Sequence, residues 1–326
     1  MAQDPAAAKD RGLEATPPRP PVPVAVSLFA GVIAVSFSAI FIKWCSAPPA
    51  VIGAWRLWIT LLLLFPAAWR QRDVLWSLRV SDWGRLMGSG AFLGLHFLAW
   101  IGSLHATSVA SSMIITALQP VFVMLGARLW FGERTSATGW ASVALALAGT
   151  AVIPWGDRTL AQGALYGDLL SLLGTLAISG YLLIGQRVRS RLPSTAYNTV
   201  VFAVAAAVLT AAAVLSGQSL WRHPARDWAL FALLALVPTL FGHALFNWLL
   251  RYVDASLISV TVLGEPVGAI ALAAWLLGEP VRAPQAIGGL CVLVGVGLYL
   301  RTRRRTPSGP PRAVAGEAPA VDGQAE

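Results

Sequence analysis

Charge is what this sequence has least of. Asp, Glu, Lys and Arg make up only 12% of its 326 residues, against 56% hydrophobic, and the mean hydropathy is +0.67. A soluble globular domain carries roughly a quarter of its residues charged, so this composition excludes that class and makes lipid the solvent for most of the chain. Cysteine occurs twice, at Cys45 and Cys291, which excludes a disulfide framework and a cysteine metal site; both read as small apolar fillers. Lysine is confined to Lys9 and Lys43, neither within a G-x-x-x-x-G-K-[ST] loop, so the chain has no phosphate-binding loop of its own and is not by itself a nucleotide-driven pump. The sequence also lacks H-E-x-x-H, G-x-S-x-G and paired carboxylates at catalytic spacing, which sets aside an intramembrane enzyme and implies no cofactor. A membrane scaffold or sensor would need an ordered output domain that the short tails do not supply.

What the sequence does have is long apolar runs. LWITLLLLFPAAW (57–69), VALALAGTAVI (143–153) and VFAVAAAVLTAAAVL (201–215) recur at the spacing of successive membrane helices. The runs are continuous rather than alternating, which excludes a closed β-barrel. The pattern predicts an all-α integral membrane protein with about ten spans, at 23–43, 48–69, 84–104, 107–131, 137–155, 163–186, 195–216, 227–249, 254–278 and 284–301. Residues 1–22 and 302–326 are polar and proline-rich and read as disordered tails; the first lacks the charged-then-apolar order of a cleaved signal peptide.

The net charge of +9 is not gathered into one basic patch, so it points to orientation rather than nucleic-acid binding. Threading ten spans leaves Lys43, Arg158, Arg222, Arg226 and Arg282 on one side and every other basic residue except Arg56, which lies within the second span, on the opposite side. That imbalance predicts an inner-membrane protein with both tails cytoplasmic.

Sliding the sequence over itself by 146 positions exposes a repeat. Gln119-Pro120 falls on Glu265-Pro266, Gly132-Glu133 on Gly278-Glu279, and Gly149 on Gly295. ATSVASSMI (106–114) overlays YVDASLISV (252–260) with Ala110 on Ser256. Five spans per half, an odd number, make the halves enter the membrane from opposite sides. The expected architecture is therefore two inverted repeats, 23–155 and 163–301, an arrangement common among secondary transporters.

The segments PVFVMLGARLWFGE (120–133) and PVGAIALAAWLLGE (266–279), with the arginine in AVIGAWRLWI (50–59), resemble the EamA-type family of the drug/metabolite transporter superfamily. The resemblance covers both halves and leaves out the tails. It implies ten helices around a central cavity and export of amino acids, metabolites or drugs, without choosing among them.

Polar groups at membrane depth are the candidate site, because each is costly there. Glu265 lies about ten residues into its span, roughly 15 Å at ~1.5 Å per residue, near the middle of a ~30 Å hydrocarbon layer. Gln119 reaches the same depth from the opposite face. Pro120 and Pro266 follow them, and each frees the carbonyl four residues earlier, Thr116 or Val262, to kink the helix or to ligate a solute. The Glu265 carboxylate can take up and release a proton during transport, or serve as a hydrogen-bonded structural acid. Arg56 can clamp a substrate carboxylate or pair with a protein group, Glu265 being one conceivable partner.

His96, and His243 with Asn247 one helical turn apart, form a second polar set that can line a cavity without making a metal site. Tyr181, Trp55, Trp58, Phe37 and Trp100 are candidate aromatic walls. Glu133 and Glu279 close their helices as hinges or gates, where the helix dipole disfavours a carboxylate unless something answers it. Asp168 reads as a dipole-favoured acid at a helix start. The small residues GSGAFLG (88–94) and an alanine-rich fifth span allow close helix approach. The partners implied are the lipid bilayer, a small solute and protons as a coupling ion.

Overall fold

The computed structural model describes residues 20–107, 109–153, 165–189, 191–277 and 280–305. In the first half, α1 is Val24–Trp44, α2 Pro49–Arg70, α3 the single turn and a half Arg72–Trp76, and α4 Val80–Ala106. The fourth span is broken into α5, Val109–Thr116, and α6, Gln119–Phe131, and α7 is Ala137–Val152. In the second half, α8 is Leu165–Arg189 and α9 Ser194–Leu215. The eighth span runs as α10, Ala225–Leu234, a π-helical stretch Ala235–Ala244, and α11, Leu245–Leu249. The ninth is again broken, into α12, Ala255–Val262, and α13, Glu265–Leu277, and α14 is Ala283–Arg305. Among the described residues, nine helical segments are long and apolar enough to cross a membrane; Ala137–Val152 is a shorter apolar helix, and its expected end at 155 lies outside them. With that helix the chain makes ten passages, and it is an all-α membrane protein of two inverted five-helix repeats.

The repeat is visible residue for residue. The boundaries of α5 and α6 plus 146 give those of α12 and α13. Hydrogen bonding at the two breaks matches too: Leu118 donates its backbone N–H to the Ile115 carbonyl (3.0 Å), and Gly264 to that of Thr261 (3.0 Å). Both breaks have one cause. Pro120 and Pro266 carry no N–H for the carbonyl four residues back, so the ladder stops and restarts two residues later. Non-helical backbone at membrane depth persists only where it is buried in protein or lines a cavity.

Span eight was expected as one α-helix, 227–249, and differs for a similar reason. Pro238 lies in its middle, and the ladder there widens to π spacing over Ala235–Ala244. The Thr239 hydroxyl donates to the Leu234 carbonyl five residues back (2.7 Å).

The two halves interleave. The first span of each half packs against the other: α1 lies on the π stretch and α13, and α8 lies on α4, α5 and α6. The pairs α2–α9 and α7–α14 are repeat mates meeting across the pseudo-two-fold axis. At the second of these, glycine is required by contact. A Cβ on Gly149 would lie 2.5 Å from the Gly288 carbonyl oxygen, and one on Gly295 would lie 2.7 Å from that of Ser142. Since Ser142 and Gly288 are themselves 146 apart, the crossing is symmetric.

Helix ends are fixed locally. Ser136 caps α7 by accepting from the Gly139 N–H (3.1 Å), and Asp254 caps α12 by accepting from that of Leu257 (2.8 Å). Gly132 ends α6 in the left-handed region at φ 68°, with Gly132 and Glu133 N–H groups returning to the Arg128 and Ala127 carbonyls. The loop between α1 and α2 is pinned to the start of α10, where the buried Asp227 carboxylate accepts from the Ser46 N–H (3.1 Å) and hydroxyl (2.7 Å). Burial pushes the neighbouring Cys45 thiol up to about 11, as expected of an inert filler.

Candidate solute site at the paired helix breaks

The two breaks face one cavity. It is lined by residues of α1, α4, α5, α6, α8, α12, α13, the π stretch and α11, and it encloses about 650 Å³ of empty space, the part continuous with solvent included. Gln119 and Glu265 both line it, as do Thr116 and Val262, whose carbonyls the prolines release. A smaller space of about 290 Å³ adjoins it between the breaks, lined by Thr116, Gln119, Pro120, Val262, Glu265 and Pro266 among others. The repeat therefore brings an amide and a carboxylate to one cavity from opposite sides of the bundle.

The remaining wall is aromatic and polar. His96, Trp100, Tyr181 and His243 line it, together with Ser38, Met113 and aliphatic side chains. The His96 Nδ1 lies 2.9 Å from the Gly174 carbonyl, which makes Nδ1 the N–H and turns Nε2 into an acceptor. Its ring stacks on Trp100 with centroids 5.9 Å apart. Tyr181 donates its hydroxyl to Asn247 Oδ1 (2.6 Å), and Asn247 Nδ2 donates to Asn198 Oδ1 (2.6 Å). The Asn247 carbonyl in turn accepts from Arg189 Nε (2.7 Å). Asn247 thus holds the tyrosine that lines the cavity without itself being among the lining residues.

Arg56 sits one layer behind. It is fully buried, donates through Nε and Nη2 to the Thr239 hydroxyl oxygen (3.0 and 2.9 Å), and lies 4.2 Å over the Phe97 ring. Phe97 meets His243 edge-on at 5.3 Å, so a ring separates the guanidinium from the cavity wall. Arg56 and Glu265 are within electrostatic reach of each other, but among the described residues no ion pair within 4 Å joins them. The π stretch gives Arg56 its partner: Thr239 belongs to the altered register around Pro238.

Three of the aromatic candidates lie elsewhere. Trp55 packs between Trp221 and Trp228, centroids 4.7 Å from each, and donates Nε1 to the Leu220 carbonyl. Trp58 is 41% exposed and donates to Thr210, and Phe37 stacks on Phe41. Interfacial anchoring explains the tryptophans better than a solute wall does. Glu133, at the end of α6, accepts from the buried Gln186 Nε2 (2.6 Å), and Gln186 Oε1 accepts from the Ala255 N–H (2.6 Å). One amide therefore ties the end of the first broken span to the start of the second. Glu279 lies outside the described residues. Asp168, in the first turn of α8, accepts from the Thr107 hydroxyl (2.9 Å).

Sequence reasoning missed the Thr239 partner, the Gln186 tie, and buried Arg189 and Asn198. Gln186 and Asn198, as polar residues in apolar runs, were open to the same depth argument that selected Gln119.

An inverted-repeat helical bundle, broken twice at a polar cavity, is the architecture of a membrane carrier. The sequence comparisons name the group: residues 23–155 and 165–301 both match the EamA-like transporter family, and the chain belongs to it. An uncharacterized transporter of Bacillus subtilis (strain 168), YwfM, is 26% identical over 257 residues, covering 77% of this chain and 84% of the relative. A riboflavin transporter of Rhizobium johnstonii is 29% identical over 118 residues, 31% of this chain and 39% of that protein. A solved crystal structure superposes with TM-score 0.70 at 20% identity, covering 87% of this chain and 98% of the other, a likeness of fold.

Proposed function

We propose that this chain is a proton-coupled secondary carrier in the plasma membrane, with both termini cytoplasmic, that exports small polar metabolites by alternating access. Amino acids are the leading class. The observation that carries the reading is the meeting of Glu265 with Gln119 at one cavity between two proline breaks.

A carboxylate there offers a site for which a proton and a solute ammonium compete. Gln119, the His96 Nε2 and the released carbonyls of Thr116 and Val262 supply neutral hydrogen-bonding groups, and Trp100, Met113 and Ile178 an apolar side. That mixture suits a small amphipathic amine better than an inorganic ion. Proton arrival at Glu265 releases the solute on one side; proton departure readies the site on the other. The hinges are the two breaks, and the α7–α14 crossing is the rigid seam about which the halves rock.

The test is uptake into proteoliposomes under an imposed pH gradient, with panels of labelled amino acids, other metabolites and cationic drugs. Gradient-driven movement of the amino acids supports the reading. Movement of the drugs instead makes the protein a multidrug exporter, and solute movement indifferent to the gradient makes it a facilitator.

A further inference from the structure

Four hydroxyls, three of them behind the solute wall and the fourth on it, connect three helices. Ser103 Oγ of α4 is 2.8 Å from Ser112 Oγ of α5, which is 3.2 Å from Ser171 Oγ of α8. Ser171 Oγ is 3.3 Å from Thr116 Oγ1, and Thr116 lines the cavity with Glu265. The three serines are completely buried. We infer that Ser103, Ser112, Ser171 and Thr116 form the route by which protons pass between the Glu265 cavity and the membrane face that carries Asp168. This rests on the proton-coupled reading above.

A hydroxyl accepts and donates at once, so a contiguous row relays a proton by each oxygen receiving one and passing its own onward. The proton count of the row is unchanged after each passage. In the described arrangement the hydrogens rest on carbonyls: Ser103 on Trp100, and Ser171 and Thr116 on Ser112. Rotation of one side-chain torsion redirects each to the neighbouring hydroxyl. At the outer end, Asp168 stands three residues before Ser171 on α8 and binds Thr107, which stands four after Ser103. Asp168 and Ser171, three apart on one helix, are about 5–6 Å apart, a gap that one water spans.

Two comparisons within the molecule separate this row from ordinary buried hydroxyls. Among the described residues, Thr150, Thr175, Ser179 and Thr261 donate to carbonyls of their own helices without a hydroxyl–hydroxyl bond across a helix interface, and Ser89 with Tyr197 (2.7 Å) makes such a bond as a single pair rather than a row. The repeat mates of the four are Leu249, Ile258, Val262 and Ala25, all apolar. The symmetry-related positions thus keep the helices and omit the row, so the route is one-sided and is not a requirement of the fold.

The test uses the full-length reconstituted protein, with a radiolabelled protein amino-acid mixture as probe. Two rates are compared: net uptake driven by a pH gradient, and exchange of the mixture across the membrane at equal pH, which needs no net proton movement. Ser112→Ala and Ser171→Ala are expected to slow gradient-driven uptake about tenfold or more, in the range of a lost proton-transfer step, while exchange stays within about twofold. Ser171→Thr, which retains a hydroxyl, is expected to keep both. Unchanged gradient-driven uptake in both alanine variants, or a parallel fall in both rates, overturns the route. A wild-type protein that exchanges the mixture but ignores the gradient overturns the coupling reading instead.

Discussion

In the first half the helix break at Ala117–Leu118 presents the amide of Gln119, whereas in the second the break at Leu263–Gly264 presents the carboxylate of Glu265. The helix boundaries around the two are alike to the residue, with proline next in line and the same three-residue hydrogen bond at Leu118 and Gly264. Other side chains differ too: Ser103, Ser112 and Thr116 stand in the first half where Leu249, Ile258 and Val262 stand in the second. Geometry is what the repeat duplicates, and polar side chains are where the copies diverge. A carrier needs two equivalent hinges to exchange its open faces, but one titrating group suffices to take up one proton.

That comparison can be broken at the hinges. Pro266→Ala gives residue 266 an N–H for the Val262 carbonyl and allows the ninth span to run as one helix. Solute uptake in proteoliposomes is expected to fall about tenfold, with gain of thermal stability, because the hinge has been closed. Pro120→Ala should do the same in the fourth span. Transport that survives one repair and not the other would show that only one break moves.

The seam provides a smaller effect. Gly149→Leu and Gly295→Leu each force a side chain into a carbonyl of the facing helix, and each should cost about 1–3 kcal/mol of stability. Thermal unfolding in detergent checks this, and the symmetric crossing requires the two losses to be similar. Smallest is Tyr181→Phe, which removes the bond to Asn247 at about 0.6 kcal/mol, typical of polar contacts between membrane helices. The mate of Tyr181 is Val35, which also lines the cavity, so Val35→Ala should leave that polar network untouched.

Much of this was legible in the residues. Depth in an apolar run, with the 146-residue offset, identified Gln119, Glu265 and both prolines, because charge in hydrocarbon and missing N–H groups leave marks in one dimension. His96, His243 and Tyr181 also reach the cavity. Arg56 shows where that logic ends: its depth was apparent, but the direction of its side chain depends on Thr239, placed by a π stretch that periodicity read as an ordinary helix. The tryptophans Trp55 and Trp58 were poor guides since the same residue type anchors interfaces and lines cavities. The hydroxyl row was invisible because serine and threonine are common in membrane helices, and only adjacency across α4, α5 and α8 distinguishes these four.

If the asymmetry between Gln119 and Glu265 is the coupling device, as proposed above, then Glu265→Gln, which makes the halves alike, removes it. The measurement is simultaneous recording of proton and labelled solute movement in proteoliposomes, for wild type and the variant. Proton flux should accompany solute in the wild type, and gradient-driven uptake should fall about a hundredfold in the variant, with whatever solute still moves carrying no protons. A variant that still moves protons with its solute at the wild-type ratio would contradict the account.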